Sequence, residues 1–427
     1  MKIAVVGAGI SGLSAAWLLS RSHEVTLYEQ EGRLGGHSNT LEVELEGMRH
    51  PVDTGFIVFN RATYPHLCGL FAHLGVPIAD SDMSFGVSLT QPDIEWAGTS
   101  LASVFAQPSN LARPRFWGML QDILRFNSEV TQKAVDGTAE HISLGDFLQR
   151  HRYGDAFRDW YLLPMAAAIW SCPTRTMLAY PLATFARFCH NHGLLRVNDR
   201  PQWLTVRGGS REYVKRIAAM LGDVRRATAV KALHRVSDGV LVDAGGLRER
   251  YDQVVLACHS DQALQLLGDQ ASAAERRLLG AIGYQANLAV LHTDTALLPR
   301  NRRVWSSWNY MAGEGRPDDR PVSVSYLMNR LQPLPFQQPV VVSLNPFVEP
   351  DPARVIARIE YAHPVFDGPA IEAQQRLPEI QGRDRLWFCG AWTGYGFHED
   401  GLSSAVRVAR HLGAEIPWLR SSEAVSA

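Results

Sequence analysis

The sequence is poor in the features that organise several protein classes. Its five cysteines, Cys68, Cys172, Cys189, Cys258 and Cys389, are odd in number, scattered and without a Cys-x-x-Cys pair. That excludes a disulfide framework or a cysteine-based zinc site as the organising feature and fits a reducing compartment. His190 and His192 lie two apart with no third ligand nearby in sequence, so no metal site is expected. No apolar run reaches eighteen residues, so no membrane-spanning helix is expected, and only peripheral lipid contact stays open. Neither charge sign is in excess: 42 Lys and Arg face 43 Asp and Glu, leaving no global field to draw nucleic acid. Met1 to Gly12 show no basic leader or cleavage site, so the expected setting is cytoplasmic, with peripheral contact at the inner membrane face as a further expectation. Small neutral or apolar ligands are the natural partners, and the oligomeric state is open.

What is present is a globular composition, 46% apolar over 427 residues, long enough for two or three domains or one composite fold. Ile3 to Val6 is an apolar run, followed by Gly7, Gly9 and Gly12 and then an apolar stretch from Leu13 to Leu19, which predicts strand, tight turn and helix. Val25 to Tyr28 is a second strand ending at Glu29, so residues 1–29 read as one βαβ unit with parallel strands. Strand-like runs return at 229–242, 254–257, 288–291, 322–327, 340–344 and 386–389. Helix-like spacing marks Phe116 to Val130 and Leu402 to Leu412, with Gly390 to Gly401 read as a loop. These elements predict an α/β protein whose Rossmann-like dinucleotide-binding domain is discontinuous and accompanied by an α+β substrate domain. The expected division is 1–76, 201–262 and 381–418 for the dinucleotide domain, 77–200 for a mainly helical insertion, 263–380 for a second sheet, and 419–427 for a frayed tail.

The glycine fingerprint has a mechanism. Gly7 allows the turn, Gly9 lets the backbone approach a diphosphate, and Gly12 lets the helix pack against the strand. The helix start aims free N–H groups and the positive end of its dipole at the phosphates. Glu29 can accept both ribose hydroxyls, each charge-assisted bond contributing roughly 1.5–3 kcal/mol. NAD and FAD share this turn, but Arg33, Gly35 and Gly36 add a cation and two bare backbones where a second phosphate contact is needed, which points to FAD. No second such fingerprint follows a predicted strand, so electrons should enter from an organic substrate rather than from NAD(P)H.

The run Val5 to Leu13, then Glu29, Arg33 to Gly36, Asp53-Thr54-Gly55, Val206 to Gly209, Val230, Tyr251 to Ala257, Leu386 to Ala391 and Asp400 to Val406, resembles the flavin amine oxidase superfamily. That superfamily includes monoamine and polyamine oxidases, phytoene desaturases and protoporphyrinogen oxidases. The resemblance implies FAD held by Gly7, Gly9, Ile10, Ser11, Gly12, Glu29, Gln30, Arg33, Gly35, Gly36, His37, Thr54, Gly55, Val230, Gly390, Asp400 and Leu402. Within it, Val230 would contact adenine through its backbone, and the helix after Gly401 would offer N–H groups to the flavin. The strings Gly35 to Thr40, Arg200 to Trp203, Trp305 to Tyr310 and Gly396 to Gly401 are similar to a bacterial branch related to the flavoprotein half of plant cyclopropane fatty-acid synthases and the flavoprotein of furan fatty-acid synthesis. That likeness implies an acyl substrate.

Two departures weigh against amine oxidation. No lysine follows Lys231, where amine oxidases place one beyond the midpoint, and Gly396-Phe397-His398-Glu399-Asp400-Gly401 stands where Gly-Tyr-Met-Glu-Gly is usual. The expected activity is an FAD-dependent oxidase or desaturase of a modified fatty-acyl chain. The alternatives are a flavin-dependent isomerase of a lipid or polyene, an amine oxidase, or an FAD-bound partner of a lipid methyltransferase. His398 is the candidate catalytic residue, since an imidazole beside the flavin could move a proton, while the plain reading is a histidine bonding its neighbours. Glu399 and Asp400 share that ambiguity, with Asp400 expected as the N-cap of the last helix. His37 could bond a phosphate or the backbone, or less simply carry the flavin covalently. Trp160, Tyr161, Trp170, Phe185 and Phe188 read as core rather than tunnel. Trp305, Trp308 and Tyr310, set among polar residues, carry a better functional case.

Overall fold

A computed structural model describes residues 1–135, 142–170, 177–191, 193–195, 200–315 and 320–419. Cys172, His192, the tail beyond 419 and the side chain of Trp170, all named above, lie outside the described residues.

The strand Lys2–Val6 sits at the centre of a five-stranded parallel sheet ordered Asp223–Arg225, Glu24–Tyr28, Lys2–Val6, Gln253–Leu256 and Leu386–Phe388. Because successive side chains leave a strand on opposite faces, Ile3 and Val5 enter one core while Ala4 and Val6 enter the other. Both faces are therefore covered, which explains why four of these strands read as apolar runs; the half-buried edge strand Asp223–Arg225, of sequence Asp-Val-Arg, has no such run and was not expected from the sequence. The helix Ile10–Ser20 lies on the first face, packed between the helices Arg211–Ala218 and His398–His411.

The last helix begins at His398, four residues before the start read from the sequence. Gly401 was read as loop; it lies instead inside the helix, buried, where an added Cβ would come within 2.9 Å of Ile10 and Ser11. Its glycine thus serves a close crossing of the first and last helices, a demand invisible to local pattern. Asp400 is likewise corrected: Phe397 occupies the N-cap position, and Asp400 reaches back from inside the helix to accept the Phe397 N–H at 2.9 Å.

A seven-stranded sheet runs Val355–Val365, Gly283–His292, Val341–Leu344, Val322–Leu327, Trp308–Ala312, Phe85–Leu89 and Ile94–Ala97, antiparallel except where Trp308–Ala312 meets Phe85–Leu89. The segment read as mainly helical from residue 77 thus opens with three strands, Ile78–Ser81, Phe85–Leu89 and Ile94–Ala97. Two of them are held in the large sheet through a partner more than two hundred residues away in sequence, so their local texture carried little of the signal. Helices follow, including Pro114–Val135 and Leu182–Asn191, around a core containing Phe126, Phe157, Phe185 and Phe188. No helix among the described residues is long and apolar enough to cross a membrane, and none of their His, Cys, Asp and Glu side chains form a metal-holding group.

Candidate functional site

One cavity of about 1100 Å³ runs from the carboxyl ends of the parallel strands to the large sheet and the helical lobe. That mouth is where open α/β sheets bind ligands. At its first end the three glycines of the fingerprint separate by role. Gly7 has φ +98°, and a Cβ there would meet the Ala257 carbonyl at 2.9 Å, so the turn itself requires it. A Cβ on Gly12 would lie 1.7 Å from the Gly7 carbonyl oxygen, so packing requires it. Gly9 has an ordinary φ of −73°, and an added Cβ would meet no protein atom within 4 Å. Neither conformation nor packing demands glycine at position 9. The demand must come from whatever fills the cavity, and a dinucleotide diphosphate fits that cradle.

Glu29, buried at the end of the second strand, accepts the Ala8 N–H at 2.8 Å and the Glu31 N–H at 2.9 Å. One carboxylate oxygen is thereby fixed to each flanking backbone, with lone pairs left for ligand hydroxyls. Arg33 donates to the carbonyls of Gly36 at 2.9 Å and Ser38 at 3.3 Å, so its guanidinium shapes the loop that carries Gly36 and His37. Ser11 donates its hydroxyl to the Gly401 carbonyl at 2.9 Å.

Of the seventeen residues expected to hold the cofactor, Gly7, Gly9, Ile10, Ser11, Glu29, Gln30, Arg33, Gly36, His37, Thr54, Gly55, Val230 and Gly390 line the cavity. Gly12, Gly35, Asp400 and Leu402 do not. Gly12 packs against the Gly7 turn and Ala257, and Leu402 is fully buried in the core between the first and last helices. A Cβ on Gly35 would strike the Ser38 carbonyl at 2.6 Å, so that glycine serves the loop.

His398 also lines the cavity, but its Nε2 lies 2.9 Å from the Ser38 hydroxyl and 3.3 Å from that of Tyr213, and its ring stacks on Phe56 with centroids 3.7 Å apart. Burial pushes its pKa down to about 3. This is the environment of a packed, hydrogen-bonded neutral imidazole. Glu399 accepts the His66 and Leu67 N–H groups at 2.8 and 2.9 Å, which caps the helix Pro65–Leu74 rather than serving the cavity.

Sequence reasoning missed a cluster in the middle of the cavity. His37 stacks on Tyr361 at 4.9 Å and lies 5.1 Å from His363, while His259 stacks on Tyr284 at 4.3 Å. The His37 Nε2 is buried without a partner, and so is the Asn39 Oδ1. Burial first, then the neighbouring His363 and His259, hold the His37 pKa well below the usual imidazole range; burial takes His363 to about 4. Asn287, its carbonyl oxygen engaged by Asn345 at 2.7 Å, donates to His363 Nδ1 at 2.9 Å, which leaves the ring proton on Nε2. Tyr361 bonds Thr54 at 2.9 Å and Asn39 at 3.1 Å. His259 follows the strand Gln253–Leu256, whose carboxyl end marks the cleft, so position along the chain could have flagged it. Tyr361 and His363 carried no comparable signal.

The far end is apolar: Met83, Ile169, Phe188, Leu194, Phe366 and Phe397 line it, and Trp308, Tyr326, Leu344 and Ile359 come from the large sheet. Of the aromatics read as core, Phe185 and Trp160 are core and Phe188 is both core and wall. Among Trp305, Trp308 and Tyr310, Trp308 reaches the cavity, with its Nε1 buried and unpartnered; Trp305 donates to the Pro299 carbonyl at 2.7 Å, and Tyr310 is fully buried in the core.

The family model for flavin-containing amine oxidoreductases matches residues 10–413. A carotenoid phi-ring synthase of Streptomyces griseus is 29% identical over 71% of this chain, and the match spans 59% of that relative's length. A fatty acid isomerase from P. acnes, described as producing CLA, superposes with a TM-score of 0.66 at 15% identity, covering 96% of this chain and 98% of its own. A putrescine oxidase bound to putrescine gives a TM-score of 0.68 at 14% identity, with 96% and 99% covered. At such identities the two structures speak for the fold alone.

Proposed function

From the premise that this chain belongs to the flavin-containing amine oxidoreductases, we propose that it removes hydride from an apolar substrate, a modified fatty-acyl chain, as an oxidase or desaturase. The enzyme class, FAD-dependent oxidoreductase, comes with the family. The observation that carries the substrate class is the apolar compartment. Among the described cavity residues the carboxylates are Glu29, Glu31 and Glu360. The first two belong to the dinucleotide end, and Glu360 is exposed to solvent. An ammonium entering the far end would meet aromatic and aliphatic walls with no anion to replace its hydration. The similarity to a relative named for carotenoid chemistry supports the same direction.

FAD, when bound, supplies an electron-deficient flavin nitrogen able to accept hydride. The protein's part is to hold and shield it. The N–H groups opening the helix Ile10–Ser20 would face its diphosphate, bare Gly9 would let it approach, and Glu29 would accept the ribose hydroxyls. His37, which lines the cavity, would have its unpartnered Nε2 left to bond the cofactor. His363, kept neutral and fixed in tautomer by Asn287, presents an N–H donor without adding charge. Phe188, Phe366 and Phe397 exclude water from the acyl side.

Anaerobic mixing with acyl lipids should bleach the flavin absorbance band of the purified protein. Unchanged absorbance across a panel of acyl lipids, with bleaching by amines, would overturn the substrate class. Product formed without an electron acceptor would indicate isomerisation instead.

A further inference from the structure

Eleven large apolar side chains are exposed among the described residues, and four of them fall between residues 101 and 124: Leu101 at 79%, Leu111 at 54%, Trp117 at 45% and Leu124 at 60%. They adjoin one another. The Trp117 indole N–H donates to the Leu111 carbonyl at 3.0 Å, and the Trp117 ring lies 5.2 Å from that of Phe105, whose N–H bonds the Leu101 carbonyl at 3.0 Å. Leu124 stands two helical turns beyond Trp117 on the helix Pro114–Val135, hence on the same face. Isolated surface leucines are ordinary, but a contiguous patch marks an interaction surface.

Charge identifies the occupant. From Trp96 to Gln121 the chain has no acidic residue and two arginines, Arg113 and Arg115, within a protein of net charge −1. Arg113 donates to the Asp93 backbone carbonyl at 2.6 Å and to the Asn110 side-chain oxygen at 3.2 Å, both uncharged acceptors, whereas Arg115, two positions before Trp117, turns to the other side of the helix with its guanidinium 5.2 Å from the Trp160 ring. Leucines and a tryptophan beside an arginine that no carboxylate neutralises match the interfacial layer of a bilayer, where the indole sits at headgroup depth and the cation meets lipid phosphate. The helix that carries Trp117 and Leu124 packs on the helix Leu182–Asn191, whose Phe188 walls the apolar end of the cavity.

We propose that the face formed by Leu101, Leu111, Trp117 and Leu124, with Arg113 beside it, docks the protein peripherally on a membrane containing anionic lipid. The face holds the helical lobe against the lipid from which an apolar substrate would come, yet docking stands whether or not the substrate is acyl. The test is co-sedimentation of the FAD-loaded protein with phosphatidylcholine vesicles made with and without phosphatidylglycerol. The wild type should sediment with the anionic vesicles and release as salt is added. The double variant Leu111→Ser/Trp117→Ser should lose roughly tenfold or more in partitioning while keeping its flavin spectrum. Arg113→Glu should weaken binding to anionic vesicles only. Val348→Ser, which removes an apolar side chain 50% exposed elsewhere, should bind as wild type. Wild type left in the supernatant with both vesicle types overturns the proposal. So does equal loss in Val348→Ser, or a dimer in solution that the double variant converts to monomer without any vesicle binding, which would make a second copy the occupant.

Discussion

The two ends of the cavity are built differently. The dinucleotide end comes mostly from one short stretch: Gly7, Gly9, Glu29, Arg33 and Gly36 follow one another through the first strand, first helix, second strand and the loop after it, with Thr54, Gly55, Val230 and Gly390 added from later in the chain. The apolar end and the histidine cluster come from Met83, Ile169, Phe188, Leu194, His259, Tyr361, His363 and Phe397, residues brought together from most of the chain's length. Cofactor recognition is thus encoded locally and substrate recognition globally. A family can keep the first constant and vary the second.

The largest effect expected from breaking this contrast is at Gly9. Gly9→Val should abolish FAD retention while the protein still folds, because its Cβ faces open cavity and its backbone is already that of an ordinary residue. A colourless protein with wild-type circular dichroism is the expected result, and a fully yellow one would contradict the cradle. Glu29→Ala should weaken FAD by about tenfold to a hundredfold, the loss of one or two charge-assisted bonds, measured by flavin fluorescence titration. At the other end Leu194→Asp should leave the flavin bound and lower kcat/KM by about tenfold, since a carboxylate is then placed in the acyl compartment. If Leu194→Asp released the flavin as readily as Gly9→Val, the division between the two ends would fail.

The smallest effect is on pH dependence, where buried groups oppose one another. Asp53 and Asp400 are pushed up to about 6 and Glu399 to about 7 by burial, so what they add to stability is present at low pH and lost as pH rises through 6 to 7. His363 and His398, depressed to about 4 and about 3, run the other way: their contribution is present above the ordinary 6.5 and lost as pH falls toward those values. His363→Gln removes one histidine's share, on the order of 1 kcal/mol once partial exposure is discounted. The variant should therefore lose less Tm than wild type between about pH 7.5 and about pH 5, by about 2 °C in thermal melts.

Much of the site was legible before folding was known, and the misses have physical causes. Four of the five parallel strands showed themselves as apolar runs because both faces of that sheet are buried, while the half-buried edge strand Asp223–Arg225 did not. The three strands between residues 78 and 97 did not, being short and held in part by remote partners. His398 attracted attention through its place beside a glycine-rich segment. Its neighbours Phe56, Ser38 and Tyr213, which turn it into a packed and bonded ring, come from three distant segments. Asp53, noted as part of a motif, proves to be a hub that accepts hydrogen bonds from Thr40, Ser210 and Gln332.

What the sequence alone determined was the dinucleotide end, because a turn, the start of a helix and a strand-terminal acid are set by dihedral freedom and spacing within one βαβ unit. Only the tertiary structure decided that Tyr361 and His363 face the cavity. Side chains along a strand alternate faces, and which face looks inward is fixed by pairing of the strand Val355–Val365 with Gly283–His292, some seventy residues away.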